Sequence, residues 1–293
     1  MKFITKKDIQ IPKRKSSSHK GDNGYVLAVG GSEDYAGAIT LAGMAALRSG
    51  CDLVKIIAPE KVAWAINAYS PDLVTKKIPE EFFSPEHFKI LQNEMEKFDV
   101  LLIGNGIGLK NESKKFCRKT IKEIKKLKVI DADAIKAISM DDCENSIITP
   151  HSKELEYFLI NSKVNNDIIK KISSFGGNFF SKAKIIKKIT QKFLDKNNII
   201  LLKGKIDVLI SKNKIFYNKT GNAGMTRGGT GDVLAGLCAG FLAQSKDLLQ
   251  SAINAAYFNG LIGDILMKKK KGFTYLASDI VQELRRLKNF QDS

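Results

Sequence analysis

The chain has 293 residues, 43% of them hydrophobic, and carries 48 Lys+Arg against 31 Asp+Glu, a formal net charge of +17. This is ample material for a globular core and excludes a disordered or fibrous chain. The charge reads as a solvated, lysine-biased surface that would also attract a phosphorylated ligand; nucleic acid is disfavoured because only six of the basic residues are Arg, the usual reader of phosphate and guanine edges, and no window approaches the roughly 18 apolar residues of a membrane span.

The N-terminal MKFITKKDIQIPKRK lacks the apolar centre of a signal peptide. The first strand is expected in YVLAVG (25–30), followed by GGSEDYAGAITLAGMAALRSG (30–50), whose small residues suit a helix over 36–49 packed closely on a sheet. Further short apolar runs follow at LVKIIA (53–58), DVLLIG (99–104), KVIDAD (128–133), SIIT (146–149) and IILLKG (199–204). Helical spacing fills 111–126 and 181–196 between them. IDVLISKNKIFYN (206–218) has two strands around the polar turn 211–214 and reads as an antiparallel hairpin at one edge. From the glycine cluster onward the pattern is helical, near 230–245, 247–270 and 277–290. Alternating strands and helices without an internal linker predict one α/β domain over residues 1–293. Its sheet should be mostly parallel, with helices on both faces. Cys51, Cys117, Cys143 and Cys238 have neither CxxC nor metal-ligand spacing, so reduced, partly buried thiols and a cytoplasmic setting are expected.

The least ordinary stretch is NAGMTRGGTGDVLAG (222–236), with five glycines in fifteen residues and one carboxylate, Asp232. Glycine is costly in entropy and is kept where backbone turns tightly or approaches a ligand. A glycine loop running into a helix leaves N–H groups free to hold an anion, so Gly229, Thr230 and Gly231 are candidate phosphate donors. Asp232 has two readings: a helix N-cap, or a general base beside a bound phosphate; the glycines around it favour the base. A Walker loop is excluded because Gly204-Lys205 is followed by Ile206. GNGIG (104–108) lacks dinucleotide-fingerprint spacing but is a close-approach loop at a strand end. In TPHSKELEYF (149–158), His151 is either a cap or a ligand-facing group. Glu154 is either its capping-box partner or a carboxylate that reaches magnesium through water. Asp131 and Asp133 divide between capping the next helix and facing a ligand.

Taken together, HKG, VLAVGGS, YAGAITLAGMAALRSG, IGNGIG, VIDADAI, TPHSKE, LLKG and NAGMTRGGTGDVLAG resemble, in this order, the nucleotide-dependent NAD(P)H-hydrate dehydratases of the ribokinase-like fold. The resemblance runs through nearly the whole chain. It departs from the family at Ala223, where proline is usual, at Arg227, where a small residue is usual, and at Ser152-Lys153, where proline-glycine is frequent.

The resemblance implies transfer of the terminal phosphate of ADP or ATP to the ring hydroxyl of the S-epimer of hydrated NADH or NADPH, then loss of phosphate. Asp232 is implied as the base. Ala38, Gly106, His151 and Asp232 are implied to line the hydrate pocket, and Lys203, Gly204, Lys205, Ile206, Asp207 and Gly231 to bind the nucleotide. Magnesium is expected on charge grounds, with no ligands visible in the sequence. A homotetramer and a separate epimerase partner are expected by resemblance, with no attached epimerase domain because the first kinase-like strand begins near Tyr25. The alternative is a small-molecule kinase of the same fold, acting on a sugar, a hydroxymethylpyrimidine or a hydroxyethylthiazole. A basic nucleic-acid-binding protein lacks any recognised motif.

Overall fold

The apolar runs become strands buried on both faces, as their unbroken hydrophobicity demands. In the computed structural model, which describes residues 2–174 and 178–290, they form one ten-stranded sheet. The strands are β1 (Lys2–Phe3), β2 (Tyr25–Val29), β3 (Leu53–Pro59), β4 (Val74–Ile78), β5 (Val100–Ile103), β6 (Leu127–Ile130), β7 (Ser146–Ile148), β8 (Ile199–Leu202), β9 (Asp207–Ile210) and β10 (Ile215–Asn218). Their order is β1-β10-β9-β8-β7-β6-β5-β2-β3-β4. Only β9 runs against its neighbours. The α/β class, the mostly parallel sheet and the β9–β10 hairpin are those expected.

Two strands escaped the sequence. In β4, VTKKI, paired lysines hide the pattern on an edge strand, where exposed lysine discourages pairing with another chain. β1 is two residues long and pairs with β10, so the hairpin lies one strand inside the edge. The helix expected over 181–196 is broken after Ile189, where buried Thr190 turns its hydroxyl back to the Ile186 carbonyl at 2.8 Å. The stretch expected as helix over 277–290 is α-helical from Ala277 to Glu283 and tightens into a 3-10 turn over Leu284–Phe290.

Two apolar layers cover the sheet. One packs the helices Ala36–Arg48, Glu60–Tyr69, Thr230–Ser245 and Leu248–Lys269; the other packs Phe88–Met95, Asn111–Glu123, Ser152–Asn161 and Phe179–Ile189. Chain order reverses between β2 and β5: the chain runs outward through β3 and β4, then returns to the far side of β2. Crevices at the C-terminal ends of strands, at such a reversal, are where open α/β sheets take ligands. The fold therefore singles out the loops after β2 and β5.

Candidate active site

Those two loops meet through glycine. The Gly31 N–H donates to the Asn105 carbonyl at 2.9 Å, and a Cβ on Gly30 would stand 2.4 Å from that same oxygen. Gly104, Gly106 and Gly108 all hold positive φ, which lets the GNGIG loop curl back over the strand end. Between these loops opens a cavity of about 580 Å³, whose walls include Ser32, Tyr35, Ala38, Gly106, Asp133 and Asp232. Ala38, Gly106 and Asp232, far apart in sequence, thus line one space.

Asp232 comes from the Thr230–Ser245 helix, which packs on the Ala36–Arg48 helix in the same layer. The loop before it is closed by the Thr230 hydroxyl, which donates to the carbonyls of Met225 (2.7 Å) and Arg227 (3.0 Å). Gly229, at φ +94°, occupies the N-cap position of the Thr230–Ser245 helix and has no side chain to cap it, so the first-turn N–H groups stay open to an anion. Asp232 sits in that first turn. Its carboxylate turns to another partner: Oδ1 accepts from the Asn105 side-chain amide at 2.7 Å, the one hydrogen bond it makes among the described residues. Burial, and then the neighbouring Asp131 charge, push its pKa up to about 6, against the pull of Asn105 and Lys203.

Asp131 is the centre of a buried network. It accepts from Asn105 Nδ2 (2.9 Å), the Thr149 hydroxyl (2.7 Å) and Lys203 Nζ (2.9 Å). Lys203 also lies 3.5 Å from Glu154, and a Cβ on Gly231 would come within 3.3 Å of its Nζ. Burial works against the Lys203 charge, yet Asp131 and Glu154 beside it hold its pKa above the ordinary value. The lysine therefore stays an ammonium between the carboxylates and the glycine turn. Asp133, by contrast, accepts from the Gly108 N–H at 3.1 Å and pairs with Lys136, so it braces the cavity wall. Neither Asp131 nor Asp133 caps the following turn through its side chain.

Residues 203–206 form the turn between β8 and β9, and Asp207 opens β9. The Gly204 N–H donates to Asp207 (3.1 Å), whose other oxygen accepts from Asn218 (3.1 Å). Burial raises the Asp207 pKa to about 6 against both bonds. Lys205 is exposed and Ile206 half-buried.

His151 stands outside the cavity lining. Its Nδ1 accepts from the N–H groups of Lys153 (3.1 Å) and Glu154 (3.4 Å), and Glu154 accepts from the His151 N–H (2.8 Å), a capping box. His151→Ala is expected to cost about 1 kcal/mol and lower the melting temperature by roughly 2–4 °C, the scale of a lost N-cap in a chain this size. Differential scanning calorimetry checks this. HKG (19–21) precedes the N-terminal end of β2, at the end of the strands away from the cavity, and is tied to Asp52 through the Gly21 N–H.

Sequence reasoning missed three residues. Asn105 is a neutral residue inside a glycine motif; its signal would have been that two acids converging on one loop need a donor between them. Thr149 was passed over as the first residue of TPHSKE. Asp264, in the Leu248–Lys269 helix, accepts from the Gly221 N–H and the Asn222 amide at 2.9 Å each, and so holds the start of the glycine loop. Nothing local marks Asp264. No group of three His, Cys, Asp or Glu side chains among the described residues is placed to hold a metal ion.

The arrangement can hold a phosphate against the glycine turn and Lys203, with a carboxyl of raised pKa facing a cavity for a second substrate. Gly231→Val is expected to weaken nucleotide binding about tenfold or more, because the branched side chain would occupy the turn and crowd Lys203. Unchanged affinity by titration calorimetry would mean this turn holds no phosphate.

The chain is similar to known proteins over nearly its whole length. The family model for NAD(P)H-hydrate dehydratase matches residues 26–286. The chain is 39% identical over 285 residues to the bifunctional NAD(P)H-hydrate repair enzyme of Methanocaldococcus jannaschii, covering 96% of this chain and 51% of that protein. It is 32% identical over 278 residues to the ADP-dependent (S)-NAD(P)H-hydrate dehydratase of Cenarchaeum symbiosum, covering 94% and 91%. The chain thus spans about half the length of the bifunctional relative and nearly all of the shorter one. Among solved structures it is similar to the ADP/ATP-dependent NAD(P)H-hydrate dehydratase of Bacillus subtilis co-crystallised with ATP and Mg2+, with a TM-score of 0.77, 25% identity, and coverage of 99% and 98%. The architecture is ribokinase-like.

Proposed function

Because this chain belongs to the NAD(P)H-hydrate dehydratase family, we propose that its site carries out the ADP- or ATP-dependent dehydration of the S-epimer of hydrated NADH or NADPH. The observation that carries this reading is the Asp232 carboxyl: it faces the 580 Å³ cavity and lies in the first turn of a helix whose glycine start is open to phosphate. With its pKa near 6, it is ionised at neutral pH and basic enough to take a proton.

The steps follow from these groups. The ring hydroxyl attacks the terminal phosphorus of the nucleotide while Asp232 takes its proton; AMP or ADP leaves. The N–H groups of Thr230 and Gly231, with Gly229 shaping the turn and the Lys203 ammonium beside it, hold the charge that develops on the phosphoryl oxygens. The hydroxyl is thereby converted from a poor leaving group into phosphate. The ring nitrogen's lone pair expels it, and loss of a proton from the adjacent carbon restores the double bond. Ala38 and Gly106 leave room for the ring. Residues 203–207 take the nucleotide, and His151 acts at one remove, by fixing the helix start that carries Glu154.

Magnesium would screen the charge of the nucleotide phosphates. The donor set fits an ion that arrives with the nucleotide, since Glu154 is already engaged by the His151 N–H and Lys203 and would reach it through water. We place the enzyme in the cytoplasm as a homo-oligomer, the tetramer of its resemblance, served by an epimerase that interconverts the two hydrates.

The test is optical. The reduced nicotinamide ring absorbs in the near ultraviolet and the hydrate does not. Hydrated NADPH with magnesium and ADP or ATP should regain that absorbance, with one phosphate released per ring restored, until the reactive epimer is consumed. No recovery with either nucleotide would sink the proposal, and a stable phosphorylated product would identify a small-molecule kinase instead.

A further inference from the structure

We propose that Asn105 is a positioning residue of this site: its side-chain amide gives one N–H to Asp131 and the other to Asp232, fixing Asp232 Oδ1 and leaving Oδ2 as the atom that takes the hydroxyl proton. The inference rests on the proposed dehydration and names which oxygen performs it.

Three elements converge on this amide. Asn105 follows β5, Asp131 follows β6, and Asp232 begins the Thr230–Ser245 helix; the two N–H···O distances are 2.9 and 2.7 Å. Asn105 is fully buried, and its own Oδ1 has no hydrogen-bond partner among the described residues. A buried polar atom left unsatisfied calls for an explanation. Turning the amide over would set Oδ1 against two carboxylates, so their charges dictate the orientation and the orphaned oxygen is its consequence. Holding the loop does not require the side chain. The Asn105 carbonyl accepts from the Gly31 N–H (2.9 Å), and the Gly104 N–H donates to the Val29 carbonyl (3.1 Å), which anchors the loop through its backbone. What remains for the amide is the pair of acids. Between two carboxylates it supplies a donor to each without adding charge.

The charged groups that act on Asp232 are Asp131 and Glu154, which disfavour its ionisation, and Lys203, which favours it together with the Asn105 hydrogen bond. Removing the amide takes away one of the two influences that keep Asp232 ionised. Its titration should therefore move upward.

The experiment measures the carboxyl directly. The side-chain carbonyl carbon of Asp232 is titrated by carbon NMR in the full chain and in Asn105→Ala, alongside the pH profile of kcat/KM with hydrated NADPH and ADP. The midpoint is expected to rise by about one pH unit in the variant, a tenfold change in the acid equilibrium, and the acid limb of the profile should rise with it. Nucleotide affinity should stay within about twofold. Asn105→Ser, whose short hydroxyl supplies a single donor, should give a midpoint between the two. An unmoved midpoint overturns the proposal, as does failure of both variants to fold, which would make the residue structural. If the wild-type chain restores no absorbance, the proposed reaction has failed. The carbon titration then still decides whether Asn105 governs Asp232.

Discussion

Asp232→Asn is expected to lower turnover of hydrated NADPH by about two to four orders of magnitude, the usual scale for a lost general base, while making the folded protein more stable. The two effects share a cause. Burial and Asp131 raise the Asp232 pKa to about 6, so folding disfavours the ionised form. The sign is fixed by linkage: a carboxyl raised on folding contributes stability while protonated, and that contribution is lost as pH rises from the ordinary Asp value through about 6. Above pH 6 the charged Asp232 therefore costs the folded state, by up to about 2–3 kcal/mol on this interval. Neutral Asn escapes that cost and can still accept from Asn105. Melting temperatures of the variant and wild type should accordingly agree below about pH 4, separate between about pH 4 and 6, and keep that separation above pH 6. In the wild type, kcat/KM should fall below pH 6 as the base is protonated. If Asp232 were a helix cap, Asn would replace it with little change in either rate or melting temperature. A variant that keeps its rate would end the general-base assignment.

Gly236→Ala is expected to destabilise the fold by about 2 kcal/mol or more and lower the melting temperature by roughly 4–8 °C. In an exposed helix the same change would gain about 1 kcal/mol from propensity. Here the added Cβ would meet the Ala42 carbonyl oxygen at 2.1 Å and carbon at 2.8 Å, and the Ala45 Cβ at 2.9 Å. Those are mostly backbone atoms, so relief requires moving the Thr230–Ser245 helix off the Ala36–Arg48 helix. Overpacking outweighs propensity. Because Gly236 lies one turn beyond Asp232, and Ala42 one turn beyond Ala38, the same displacement should loosen the cavity and lower kcat. Gly37→Ala is the control: its Cβ would meet nothing within 4 Å, so it should leave stability unchanged or raised. Equal melting temperatures for the two variants would show that the helices do not depend on this close approach.

The architecture was legible because its parts are local. Runs such as IILL in β8 and VLLI in β5 are apolar throughout, which suits strands covered on both sides, and each is bounded by glycine or charge. The small residues of 36–49 announced a helix packed at close range, and Ala42 and Gly236 bear this out. β4 was missed because an edge strand with one face in water has no need of an apolar run. The break at Thr190 was missed because one hydroxyl turned onto its own helix leaves no trace in periodicity.

For the site, the sequence by itself determined the kinds of groups present: a glycine turn able to hold phosphate, the carboxylate at its end, and strand-end loops at GNGIG and TPHSKE. Glycine content and carboxylate placement are properties of single stretches, and chemistry can be read from them directly. The tertiary structure alone decided their pairing. It set Asn105 between Asp131 and Asp232, drew Lys203 from β8 to Asp131, tied the loop start to Asp264, and used His151 as a cap outside the cavity lining. Asn105 and Asp232 are separated by 127 positions, and what joins them is the packing of the Thr230–Ser245 helix against β5 and β6. The raised pKa of Asp232 has the same origin, since burial and a second carboxylate exist only once distant segments have closed around it.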